Sequence, residues 1–199
     1  MTSLTSLALA LAVTLTACSS SHPSDATASA APAASSAPSG IQLADGGVLG
    51  TPSFPDGDTA RGGHGQPVVG IGCQAMEGAV LHIHSHLALF VAGKQRAIPP
   101  HVGIVGQCLY WVHTHDAEGI IHMESPKYRA FTLGDFFHIW GQPLGIKTVA
   151  TFKGPVSIYV NGARYKGDPN AIPLSTHQQI VLEIGKTVSP PNYIFPSGD

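Results

Sequence analysis

Val80-Leu-His-Ile-His-Ser-His-Leu-Ala-Leu-Phe-Val91 alternates in character along its whole length, and reading it as a strand decides the rest. A period of two puts Leu81, Ile83, Leu87, Leu89 and Val91 on one face and His82, His84, His86 and Phe90 on the other. The first face can close a core; the second carries imidazoles side by side. Ala92-Gly93-Lys94 then breaks the run, and residues 95–98 read as a returning strand ended by Pro99-Pro100. A hairpin follows from that punctuation.

Moving outward, Val156-Ser-Ile-Tyr-Val160 runs into Asn161-Gly162, the strongest short hairpin signal, before residues 163–166 return. The likeness of this stretch to Leu87-Ala-Leu-Phe-Val-Ala-Gly-Lys94 hints at two related halves but is too short to prove a duplication. Residues 109–115 and 120–124 read as two further strands joined by Asp116-Ala-Glu-Gly119, and residues 180–184 as a last one. One helix is predicted: Thr132 as N-cap with Asp135 three positions on, Phe131 and Phe136 as a hydrophobic staple, and Gly141 closing it. Its Leu133, Phe136, Phe137 and Trp140 would pack it on the sheet. The expected fold is mainly β, a small antiparallel domain built of hairpins with one short helix, sandwich or β-grasp-like rather than barrel.

The histidines carry the chemistry. The sequence has 11 of them, and all but five crowd into His82-Ile-His84-Ser-His86, His113-Thr-His115-Asp116 and His122-Met-Glu124. Residues i and i+2 on a strand lie about 6.5–7 Å apart on one face, a separation that two imidazoles can bridge to a metal ion at about 2.0–2.1 Å each. His82 and His86 are roughly 13 Å apart at the backbone. One ion would therefore take two of these three and be completed by His113 or His115 from another strand.

Whether His122 and Glu124 join depends on the turn at residues 116–119. A two-residue loop sets His113 opposite His122, with the faces in agreement; a three-residue loop with a bulge at Gly119 turns His122 and Glu124 to the other side. Asp-Ala-Glu-Gly favours the bulge, which ranks His122 and Glu124 below the two His-x-His pairs. Asp116 is a candidate partner for a ligating imidazole, although an Asp that opens a turn is common. His22, His64, His101, His138 and His177 stand alone and read as structural or surface groups.

Only 11% of residues are charged, the formal charge is -2 and no Lys or Arg cluster appears, so nucleic acid is not an expected partner. Residues 1–17 resemble a lipoprotein signal: an apolar stretch too short to span a bilayer, ending in Leu15-Thr-Ala-Cys18. Cys18 would then carry the lipid that anchors the chain to a membrane. Ser19 after it implies outer-membrane sorting in a cell with two membranes. The usual basic residue before the apolar stretch is missing, which departs from the pattern and would place the true start codon upstream. Residues 18–66, rich in Ser, Ala, Pro and Gly, read as a lipid-anchored flexible tether, and residues 67–199 as one His-rich β domain. Of the 3 cysteines, Cys73 and Cys108 remain for an oxidising compartment. They read as a disulfide that adds about 2–4 kcal/mol, with a thiolate metal site as the rival.

The run His113-Thr-His-Asp-Ala-Glu-Gly-Ile-Ile-His-Met-Glu-Ser-Pro126, followed by Phe131-Thr-Leu-Gly-Asp-Phe-Phe137 and Trp140-Gly141, and preceded by His82-Ile-His-Ser-His-Leu87, resembles an uncharacterised family of bacterial exported proteins and lipoproteins. The likeness spans about residues 73–185. It implies an exported β-rich domain and brings no activity with it. The spacing departs from the cupin pattern, where a glutamate follows the His pair by three to four residues, and from that of metallo-β-lactamases, where a second Asp-His step is needed. It also departs from amidohydrolases, which need a barrel about twice this size.

Three function classes follow. The first is a non-catalytic site for copper or zinc capture or buffering at the cell surface, which all-imidazole coordination suits. The second is a small metalloenzyme with an open coordination position and Glu124 or Asp116 as general base. The third is a metal-free interaction module with a pH-responsive histidine face. The first is the reading preferred on sequence.

Overall fold

The computed structural model describes residues 51–52 and 61–199. The signal-like segment, Cys18, His22 and most of the expected tether lie outside the described residues.

The long strand Leu81–Val91 is the centre of an 8-stranded sheet. Along its first half it pairs antiparallel with Ile120–Ser125, and along its second half it turns into Lys94–Ala97. On its other edge it runs parallel to Gln178–Ile184, which in turn pairs antiparallel with Val156–Val160 and so with Ala163–Tyr165. The two hairpins therefore flank a parallel pair formed by the first and last long strands, with the helix between the hairpins in sequence. That order fits the β-grasp-like expectation better than two stacked sheets.

Both hairpin turns are built as their residues demand. Ala92 and Gly93, at φ 52° and 79°, and Asn161 and Gly162, at 50° and 76°, occupy the left-handed region at both central positions, which matches the twist of the flanking strands. Residues 109–115, expected as one strand, are split. Cys108–Tyr110 joins a small sheet with Cys73–Gln74 and Ile104–Val105, whereas Val112–His113 joins the main one. Trp111 is the crossover: its N–H donates to the Gly72 carbonyl at 3.2 Å and its own carbonyl accepts from Glu124 N at 2.9 Å. The Cys73–Cys108 disulfide clamps this small sheet, so the thiolate alternative is overturned.

The helix Leu133–Trp140 has the predicted capping box, with Thr132 and Asp135 each satisfying the other's backbone N–H, and the left-handed Gly141 ends it. Phe136, Phe137 and Trp140 pack with Leu87, Leu89, Ile121, Met123, Ile180 and Leu182 in the main core. Gly62 and Gly63, at the end of the stretch read as tether, are buried at the helix C-terminus, where Gly63 N donates to Ile139 O at 3.0 Å. A β-carbon on Gly62 would come 2.0 Å from that same carbonyl.

The opposite face of the long strand is also covered. Ala88 and Phe90 cluster with Val181 against Val188, and Ile120 packs with Tyr193 and Phe195. The C-terminal segment thus lies over one half of the imidazole-bearing face. The other half is the site.

Candidate metal centre

The strand pairing assembles the centre. His82 sits opposite Glu124 and His84 opposite His122, while His113 sits opposite His122 on the far edge. This is the register of the two-residue loop, so the preference for a bulge is corrected and His122 and Glu124 face the same way as both His-x-His pairs. Two local causes are visible. Leu87 N donates to Gly119 O at 2.9 Å, tying the turn to the long strand. Thr114, instead of continuing the hairpin, gives its N–H to Val102 O, so the ladder ends at His113 and the loop is freed from the short hairpin geometry on which the bulge preference rested.

The donor atoms converge. His82 Nε2 lies 3.1 Å from His84 Nε2 and 3.3 Å from Glu124 Oε1, which is 3.2 Å from His122 Nδ1. His113 Nε2 lies 3.2 Å from His115 Nε2 and 3.6 Å from Glu124 Oε2. A tetrahedral ion held at about 2.0–2.1 Å spaces its ligand atoms by about 3.3 Å. Several of these pairs come close to that spacing, and two groups gather their donor atoms within 4.8 Å of one another among the described residues: His82, His84, His122 and Glu124, and His113, His115, His122 and Glu124. These groups could hold a metal ion.

The electrostatics suit a cation. Burial pulls the His84 and His113 imidazoles down to about 4, so both are neutral at neutral pH and each has one unprotonated ring nitrogen able to act as a ligand. His115 is lowered for the same reason. Glu124 is only 2% exposed. Burial opposes its charge, but the hydrogen bond from His122 and the neighbouring His113, His122 and His82 keep its pKa below the ordinary carboxylate value. Its Oε2 is buried with no hydrogen-bond partner. His113 Nδ1–H donates to Tyr110 O at 2.8 Å, which fixes the tautomer and aims Nε2 into the cluster.

The rim is open. The side chains of His82 and His115 are 52% and 40% exposed, whereas His113 and Glu124 form the floor. Two carboxylates that the sequence did not single out stand outside the imidazoles: Glu77 Oε1 is 3.7 Å from His115 Nε2, and Asp199 Oδ1 is 3.7 Å from His84 Nδ1. Both come from segments remote in sequence, and no local pattern announces them.

The structure leaves two of the sequence candidates out of the cluster. His86 stacks on Tyr193 with ring centroids 3.7 Å apart, and its Nε2 donates to Glu118 O at 3.0 Å. Burial lowers it to about 4 as well, but its donor atom is spent on the turn. Asp116 accepts from Glu118 N at 2.9 Å within the turn; it lies outside both donor groups, and only its charge reaches His115. His64, His101, His138 and His177 are exposed, as surface residues should be. No protein-family model matches the chain, and no similar protein was found among curated proteins or solved structures. The centre must therefore be read from its own chemistry.

Proposed function

We propose that this is an exported, membrane-anchored protein that captures or buffers copper or zinc through the histidine and Glu124 centre. The observation that carries the reading is a buried carboxylate, its pKa held below the ordinary value and one oxygen unpartnered, set among imidazole nitrogens of which those of His84, His113 and His115 are kept from charging by burial. An isolated buried charge is costly, and a divalent cation bound among neutral nitrogens supplies the missing partner. Imidazole-rich coordination with one carboxylate suits Zn(II) and Cu(II). Glu124 lies on the floor among the ring nitrogens, which fits a ligand better than a general base turned toward substrate. The lipid anchor at Cys18 would hold the centre near a membrane, and the Cys73–Cys108 disulfide is in keeping with an oxidising compartment.

The test is metal analysis of the full chain, purified after export, for the native sequence and for His84→Ala, His122→Ala and His115→Ala. Near-stoichiometric copper or zinc that falls in His122→Ala supports the proposal. A native protein that neither retains nor takes up either ion removes it.

A further inference from the structure

The two donor groups share only His122 and Glu124. His82 and His84 belong to one, His113 and His115 to the other, and the shared residues stand between them. Glu124 presents its two oxygens in opposite senses: Oε1 faces His82 and His122 at 3.3 and 3.2 Å, while Oε2 faces His113 at 3.6 Å. The His122 ring lies midway, its centroid 4.5 Å from those of both His84 and His115. Each group also has its own outer carboxylate, Asp199 beside His84 and Glu77 beside His115.

We infer that the centre takes two divalent cations, one between His82 and His84, the other between His113 and His115, bridged by the carboxylate of Glu124. The inference rests on the metal-binding reading above and deepens it. A single ion would leave one His-x-His pair idle, and an ion between His82 and His84 would also leave Glu124 Oε2 without a partner. Two ions use both pairs and both oxygens. Carboxylate-bridged ions in proteins stand about 3.5–4 Å apart, and their mutual repulsion needs nearby negative charge. Glu124 between them and Asp199 and Glu77 at either end provide it. His122 completes either ion from the centre.

The full chain, stripped of metal and titrated separately with Zn(II) and Cu(II), gives the answer by native mass spectrometry. Two tightly held ions per chain are expected for the native protein. His82→Ala and His115→Ala, both at the open rim where truncation leaves the core intact, should each lower that count from two to one. The copper-loaded native protein should show a spin-coupled, attenuated or half-field paramagnetic resonance signal. A native count of one, with an isolated mononuclear signal at full loading, overturns the inference and leaves the proposed function standing. A count of zero with both metals overturns both.

Discussion

His84 and His122 are directly opposed across two antiparallel strands, with their rings edge to face and centroids 4.5 Å apart. Two imidazoles crowded in this way gain little from each other unless a cation sits among their ring nitrogens. The pair marks where the long strand's histidines meet those of the 120–125 strand, and the rest of the centre is arranged around it.

His122→Ala and His86→Ala should therefore part company. Loss of a residue that only orients a ligand commonly weakens metal binding by about 10–100-fold, and removing His122 from the middle of the centre should cost at least that. His86→Ala should leave metal affinity and stoichiometry as they were and lower stability instead, by about 1–3 kcal/mol, because it empties a stacked, hydrogen-bonded site under Tyr193. Competition titration against a chelator, paired with urea unfolding, separates the two effects. Equal loss of metal affinity in both variants would contradict the placement of His86.

The metal-free protein should lose stability in acid, at a pH set by histidines rather than carboxylates. His84, His86 and His113 sit near 4 in the folded chain against an ordinary value of 6.5. Between those limits the unfolded state binds more protons, so their contribution is whole above about pH 6.5 and drains away as pH falls toward 4. Urea midpoints measured at pH 7.5, 6, 5 and 4 should drop most steeply across that window. A flat profile from 7 to 5 would show that these rings are not held neutral.

Replacing both Cys73 and Cys108 by Ser should reduce stability by about 2–4 kcal/mol, given the 35-residue separation of the bridge. Metal content should not change, since neither candidate group includes a sulfur. Thermal unfolding and elemental analysis of the same preparation test both halves of the statement.

Gly119→Ala should be disproportionately harmful. Gly119 sits at φ 89°, and a β-carbon there would lie 2.4 Å from the Leu87 carbonyl and 3.3 Å from His86 Nε2. The backbone would have to move in a region L-residues avoid, a cost of about 1–3 kcal/mol before any loss of contact. Because the turn also sets the register of His122, the variant should weaken metal binding as well as stability. A variant with native unfolding and native affinity would show that the tie between Gly119 and Leu87 does not hold the register.

Much of this was legible from local pattern. The alternation from Leu81 to Val91, Asn161-Gly162, and the Thr132, Asp135 and Gly141 signals each act within a few residues of themselves, through pleat geometry, turn sterics and capping. The same locality explains the failures. Asp116-Ala-Glu-Gly119 favours a bulge only as an isolated hairpin, and the Gly119 to Leu87 bond comes from a strand remote in sequence. His86 continues the imidazole row perfectly in sequence, yet Tyr193, also far along the chain, claims its ring.

The sequence by itself determined that one strand would present apolar side chains on one face and imidazoles on the other, because the pleat admits no other distribution of that pattern. Only the tertiary structure decided which imidazoles share a site. Pairing register, the parallel docking of Gln178–Ile184 and the path of the C-terminal segment are set by the burial of surfaces distant in the chain. They brought His122 and Glu124 into the centre and closed His86 out of it.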